Sequence, residues 1–160
     1  MGSVVKPEQL LALAREKNIM IATAESCTAG LLSGAITDIP GSSAIFDRGF
    51  VTYTNDAKID MLGVSPETLK NFGAVSEEAA EEMAKGALAR SNTQIAVSIT
   101  GIAGPGGSDH KPEGRVCFAV ATEACVECET IEFGAIGRSN VRAASVAHGL
   151  ELLLHKATNF

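Results

Sequence analysis

The chain has 160 residues, 46% hydrophobic and 20% charged, which suits one domain spanning 1–160 with a real core and excludes a disordered polymer. Its net charge of −6, with no basic cluster longer than a pair, excludes a surface built to grip a phosphate backbone, so no direct nucleic-acid partner is expected. The opening MGSVVKPEQL has no continuous apolar leader core, and no run approaches the roughly 18 to 20 apolar residues of a membrane span; no membrane partner and a cytoplasmic location are expected.

In chain order, PEQLLALAREKN puts Pro7 at a first helical position with leucines at 10, 11 and 13, and predicts a short amphipathic helix. IMIATAE, 19–25, is an apolar run that fits a buried strand, and CTAGLLSGAITDIPG returns to helical spacing through Leu31, Leu32, Ala35 and Ile36 until Pro40-Gly41 ends it. FDRGFVTYT predicts a second strand, followed by a helix capped at Asn55. Ser65-Pro66 opens a short helix closed by Gly73, and Ser76 opens a longer one with its acids first. TQIAVSITG, 93–101, is a third apolar strand, and a Gly/Pro-rich loop, GIAGPGGSDHKPEG, follows it. RVCFAVAT and VECETIEF predict a hairpin, and SNVRAASVAHGLELLLHKA a closing helix. The alternation predicts a three-layer α/β/α fold whose mixed, mostly parallel sheet has about five strands.

The four cysteines at 27, 117, 125 and 128 are too unevenly spaced for a disulfide framework. On a regular strand the odd offset of Cys125 and Cys128 sends their sulfurs to opposite faces, so metal or redox pairing would need a turn there.

Ligands of open α/β sheets gather beyond the carboxyl ends of parallel strands. Three segments leave a strand in polar or glycine-rich fashion: AESCTAG, TYTNDAK and SITGIAGPGG. If those strands are parallel, Ser26, Thr28, Tyr53, Lys58 and Thr100 converge on one edge. ESCTAG at a helix start offers backbone N–H groups and the hydroxyls of Ser26 and Thr28, a setting for an anion or simply for a cap. TGIAGPGG, with Gly101, is either a loop that lets backbone approach a ligand or a long surface turn.

If a serine of GSSAIFDRGFVTYTNDAK (41–58) does chemistry, no histidine is nearby to take its proton. His148 and His155 share a face of the last helix, and His110 sits in a charged loop without a nucleophile elbow, so a Ser-His-Asp triad is weakly supported. A neutral lysine is the other base. Bringing a lysine from about 10.4 toward 7 takes on the order of 4 kcal/mol, which burial or a nearby cation can impose. Most lysines at a helix start are solvated, and that bland reading stands beside it.

Residues 23–64, with GAVSEEAAEEMAKGA and VSITGIAGPGG, resemble the C-terminal domain of the competence-damage protein family CinA, whose stand-alone members are nicotinamide-nucleotide amidohydrolases. The resemblance implies hydrolysis of the carboxamide of nicotinamide mononucleotide by a serine/lysine pair, with no metal and no cofactor. It assigns Lys58 as base, Ser43 as nucleophile, Tyr53, Ser26 and Thr100 as further site hydroxyls, and Arg138 as a late arginine. Thr28 and Gly101 join the expected substrate-binding set, and a homo-oligomer is expected. Strand geometry pulls the other way: across an extended 46–53, Ser43 and Lys58 start roughly 25 Å apart. Ser43 is the first choice for nucleophile. The alternatives are a turned 43–49 segment, a dyad across a subunit interface, or Ser26, which shares an edge with Lys58.

Overall fold

In the computed structural model, residues 5–108 and 110–160 are described; residues 1–4, the start of the segment read above for a leader, and Asp109 of the glycine-rich loop lie outside them. The elements run α1 (Pro7–Glu16), β1 (Ile21–Glu25), α2 (Leu31–Thr37), a 3-10 turn at Ser42–Ala44, β2 (Phe46–Val51), α3 (Asn55–Leu62), α4 (Pro66–Phe72), α5 (Glu77–Ala89), β3 (Ile95–Gly101), β4 (Arg115–Ala121), β5 (Val126–Glu132) and α6 (Arg138–Thr158). Local chemistry sets most boundaries. Pro7 and Pro66 stand in the first turns of their helices, and the Ser65 and Ser76 hydroxyls accept from Glu67 N and Ala79 N. The cap of α3 is one residue earlier than expected: Thr54 Oγ1 accepts from Ala57 N at 3.1 Å, and Asn55 is the first helical residue.

The sheet order is β2-β1-β3-β4-β5. β1 pairs in parallel with β2 and β3, β4 runs antiparallel to both its neighbours, and β4–β5 is the expected hairpin. Chain connections therefore leave β1 toward β2 on one side while β3 lies on the other. This reversal beside β1 is the place where an open sheet leaves a crevice at its carboxyl edge.

Strand alternation sorts the core into two layers. Ile21, Ile95, Val97 and Ile99 join Leu10, Leu32, Ile36, Phe118, Leu150 and Leu153 on the α1/α2/α6 side. Ala22, Ala24 and Ala96 meet Leu62, Val64, Met83 and Ala87 of the α3–α5 side. Small residues on that second face let α5 lie close. At Gly86 a Cβ would come within 2.0 Å of the Leu62 carbonyl oxygen, so only glycine lets α5 cross the end of α3. That crossing fixes α3, and with it Lys58.

Among the described residues no helix is long and apolar enough to cross a membrane. Cys125 and Cys128 carry free thiols, the first exposed in the turn before β5 and the second part-buried on the strand.

Candidate active site

Three segments leave the carboxyl edge beside each other, because Glu25, Val51 and Ile99 are aligned by the parallel register. The turn after β1 carries Ser26, the segment after β2 carries Tyr53 and then Lys58 one turn into α3, and β3 ends in Thr100-Gly101. Between them and the loop at 102–108 lies a cleft of about 340 Å³, at the lower end of the usual small-ligand range.

Lys58 is the decisive side chain. It is 1% exposed, and its Nζ lies 2.9 Å from Ser26 Oγ, 2.9 Å from the Thr52 carbonyl oxygen and 3.2 Å from that of Tyr53. Carbonyl oxygens can only accept, whereas a hydroxyl can accept or donate. An ammonium would use its three N–H groups on the three oxygens. A neutral amine keeps two N–H groups for the carbonyls and turns its lone pair to Ser26. Two backbone carbonyls thus hold the amine in the orientation a base needs. Burial favours the neutral form and pulls the Lys58 pKa from 10.5 down to about 8, on the order of 3 kcal/mol at about 1.36 kcal/mol per unit. At pH 7 about one chain in ten then carries a neutral Lys58.

Ser26 is held as firmly. Its N–H donates to the Ile99 carbonyl at 2.9 Å, tying the turn after β1 to β3. Cys27, next to it, has its thiol pushed up to about 11 by burial, so at neutral pH it stays protonated and is a poor nucleophile.

The turn itself is organised by Glu25, which is 0% exposed. Glu25 Oε1 accepts from Thr28 Oγ1 at 2.7 Å and Leu32 N at 2.8 Å, and Oε2 accepts from Ser33 N at 3.0 Å and Ser33 Oγ at 2.7 Å. One carboxylate therefore satisfies the start of α2 and clamps residues 26–30. Glu25→Gln replaces one acceptor oxygen by an NH₂ that faces donors. It is expected to cost about 2–3 kcal/mol in chemical denaturation, whereas a loss under about 0.5 kcal/mol would refute the clamp.

Two expectations change here. The ESCTAG helix start is not an open anion cradle, because Glu25 already fills it with negative charge. Thr28 is not a ligand-binding hydroxyl: it is fully buried and its proton belongs to Glu25.

The other expected residues divide in the same way. Tyr53 is 57% exposed and lines the cleft; its phenol oxygen accepts from Arg138 Nη2 at 3.0 Å. Arg138, at the first turn of α6, also donates Nη1 to the Gly104 carbonyl, bridging the cleft's two rims. Thr100 lines the cleft but gives its hydroxyl proton to the Ala74 carbonyl at 2.8 Å. Gly101 lies on the wall as well, where a Cβ would come within 2.6 Å of Val116 Cγ2.

Within one chain, Ser43 is not the hydroxyl beside Lys58. It lies exposed in the 3-10 turn before β2, whereas Lys58 follows the far end of that strand. The six residues of β2 alone span about 20 Å. The remedy of a turned 43–49 segment fails because the strand begins at Phe46. Within the chain, the hydroxyl beside Lys58 is that of Ser26.

No histidine lines the cleft among the described residues. His148 is engaged with Glu129 and Glu151 across β5 and α6. Lys111 lines the cleft as well, and no motif of the sequence marks it. Its ammonium donates to the Phe72 and Val75 carbonyls, contacts 39 and 36 positions away that no local pattern announces.

The family model for the CinA C-terminal domain matches residues 5–157. The chain belongs to the CinA C-terminal domain family. It is 46% identical over 154 residues to a competence-damage inducible protein of Caldicellulosiruptor saccharolyticus, covering 96% of this chain and 37% of that protein. A CinA-like protein of Chlorobium limicola is 44% identical over 160 residues, covering 99% and 37%. The chain thus matches only 27–37% of the length of these and similar curated relatives. Among solved structures, the competence/damage inducible protein CihA from Agrobacterium tumefaciens superposes with a TM-score of 0.86 at 50% identity, covering 96% of this chain and 98% of that one. A CinA superfamily protein from Klebsiella pneumoniae gives 0.92 at 33% identity, covering 96% of each. The CinA fold expected from the sequence is the fold observed, a five-stranded mixed sheet flanked by helices.

Proposed function

We propose that this CinA-family chain hydrolyses the carboxamide of nicotinamide mononucleotide to nicotinate mononucleotide and ammonia, in cytoplasmic pyridine-nucleotide recycling, with Ser26 as nucleophile and Lys58 as general base. The observation that carries the reading is the buried Lys58 Nζ at 2.9 Å from Ser26 Oγ, in a cleft sized for a small ligand. The resemblance of the motifs to nicotinamide-nucleotide amidohydrolases supplies the substrate, and the cationic lining of the cleft suits a phosphorylated one.

Neutral Lys58 accepts the Ser26 hydroxyl proton as Oγ attacks the carboxamide carbon. The tetrahedral oxyanion is stabilised by backbone N–H groups bordering the cleft. It collapses with breakage of the C–N bond, and the proton on Lys58 leaves with ammonia. Water then attacks the Ser26 ester, giving its proton to Lys58, which returns it to Ser26 Oγ as the acid departs. Tyr53 and Arg138 hold the substrate from the rim.

Incubation with nicotinamide mononucleotide followed by assay of ammonia and nicotinate mononucleotide tests the reading. Stoichiometric release of both is expected. Thermal stabilisation by the nucleotide without product would make the chain a binding module instead.

A further inference from the structure

We infer that Lys111 is the anchor for the phosphate of the substrate, and thus the residue that selects a phosphorylated amide over its unphosphorylated nucleoside. This rests on the nucleotide reading above and deepens it by placing the anion.

The cleft has three cationic side chains, Lys58, Lys111 and Arg138, and among the described residues no carboxylate lines it. In a chain of net charge −6 that local excess marks where a substrate anion is accepted. Two places for the anion drop out. Lys58 has its three positions committed to Ser26, Thr52 and Tyr53, and it works as a base only when uncharged. The start of α2 is filled by the Glu25 carboxylate, which repels a second anion.

Lys111 remains, and it is built in. Two of its three N–H groups hold the Phe72 and Val75 carbonyls, which fixes the ammonium against the α4–α5 turn and leaves one N–H and the full charge for a ligand. Gly73, at φ +80°, makes room for it, since a Cβ there would approach Nζ to 3.0 Å. Arg138 is held by Gly104 and Tyr53 and retains three further N–H groups. An anion at Lys111 is held against the α4–α5 turn, whereas Ser26 and Lys58 belong to the segments after β1 and β2, which suits a ligand whose reacting amide and phosphate are separate groups.

The test is Lys111→Gln, which removes the charge and keeps a donor for the carbonyls. Calorimetric binding of ribose 5-phosphate is expected to weaken at least tenfold. KM for nicotinamide mononucleotide should rise about tenfold with kcat within about twofold, and kcat/KM for nicotinamide riboside should be unchanged. Lys111→Arg should restore most of the binding. In the wild-type protein, ribose 5-phosphate should slow reductive methylation of Lys111, a readout independent of any variant's folding. Binding of ribose 5-phosphate by Lys111→Gln within twofold of wild type, equal loss with both amides, or absence of protection would each overturn the inference. A wild-type protein that releases no ammonia, yet binds ribose 5-phosphate through Lys111, would defeat the amidase reading and leave this inference standing.

Discussion

Ser26→Ala is expected to lower ammonia release from nicotinamide mononucleotide by about a thousandfold or more, while Ser43→Ala leaves it within about twofold. Removing a nucleophile abolishes the covalent route rather than trimming it. The asymmetry follows from position. Ser26 Oγ is within hydrogen-bond distance of a buried amine, and Ser43 is exposed at the opposite end of β2. Both variants should fold, since Ser→Ala at 26 removes a hydroxyl whose partner keeps two carbonyl acceptors, and Ser43 lies at the surface. Steady-state rates with circular dichroism on the same samples check both. Loss of activity in Ser43→Ala with Ser26→Ala intact would reverse the assignment.

Lys58→Met should lose turnover to a similar extent and yet gain stability. The folded pKa of about 8 lies below the unfolded 10.5, so between those values the unfolded chain binds more protons and stability rises with pH. Below pH 8 both states are protonated and the burial penalty is fully present. Methionine removes it but leaves the Thr52 and Tyr53 carbonyls without their donor. The net expected gain is about 1–2 kcal/mol at pH 7, fading as pH climbs toward 10.5. For the wild type, kcat/KM should rise with pH through about 8 as Lys58 becomes neutral. Urea denaturation at several pH values and a pH–rate profile read the two effects. A variant less stable than wild type at pH 7 would show that Lys58 is not strained by burial, and a rate flat through pH 8 would show that it is not the base.

Much of this arrangement is legible in the sequence, and the exceptions have identifiable causes. Strand periodicity and turn residues place Ser26, Tyr53, Lys58 and Thr100 on one sheet edge, since parallel strands end together. That reasoning favours Ser26, whereas the family resemblance favours Ser43, and within one chain β2 stays extended and keeps Ser43 apart from Lys58. The role of Glu25 was hidden for a different reason. A helix start filled by a side-chain anion reads in sequence like one left open for a ligand, and only burial of the carboxylate separates the two. Lys111 is not legible in the sequence because its partners at Phe72 and Val75 come from the distant α4–α5 turn, through a contact that no spacing rule encodes. The cap of α3 shifted by one residue because Thr54 and Asn55 are both good caps, and the hydroxyl of Thr54 is the one that reaches Ala57 N.

The most direct measurement of the central claim is mass-spectrometric peptide mapping of enzyme quenched with acid during turnover of nicotinamide mononucleotide. The acyl group is expected on the peptide carrying Ser26, and absent from it in Ser26→Ala. An acyl group on Ser43, or on any residue other than Ser26, would contradict the Ser26–Lys58 pair as the catalytic centre.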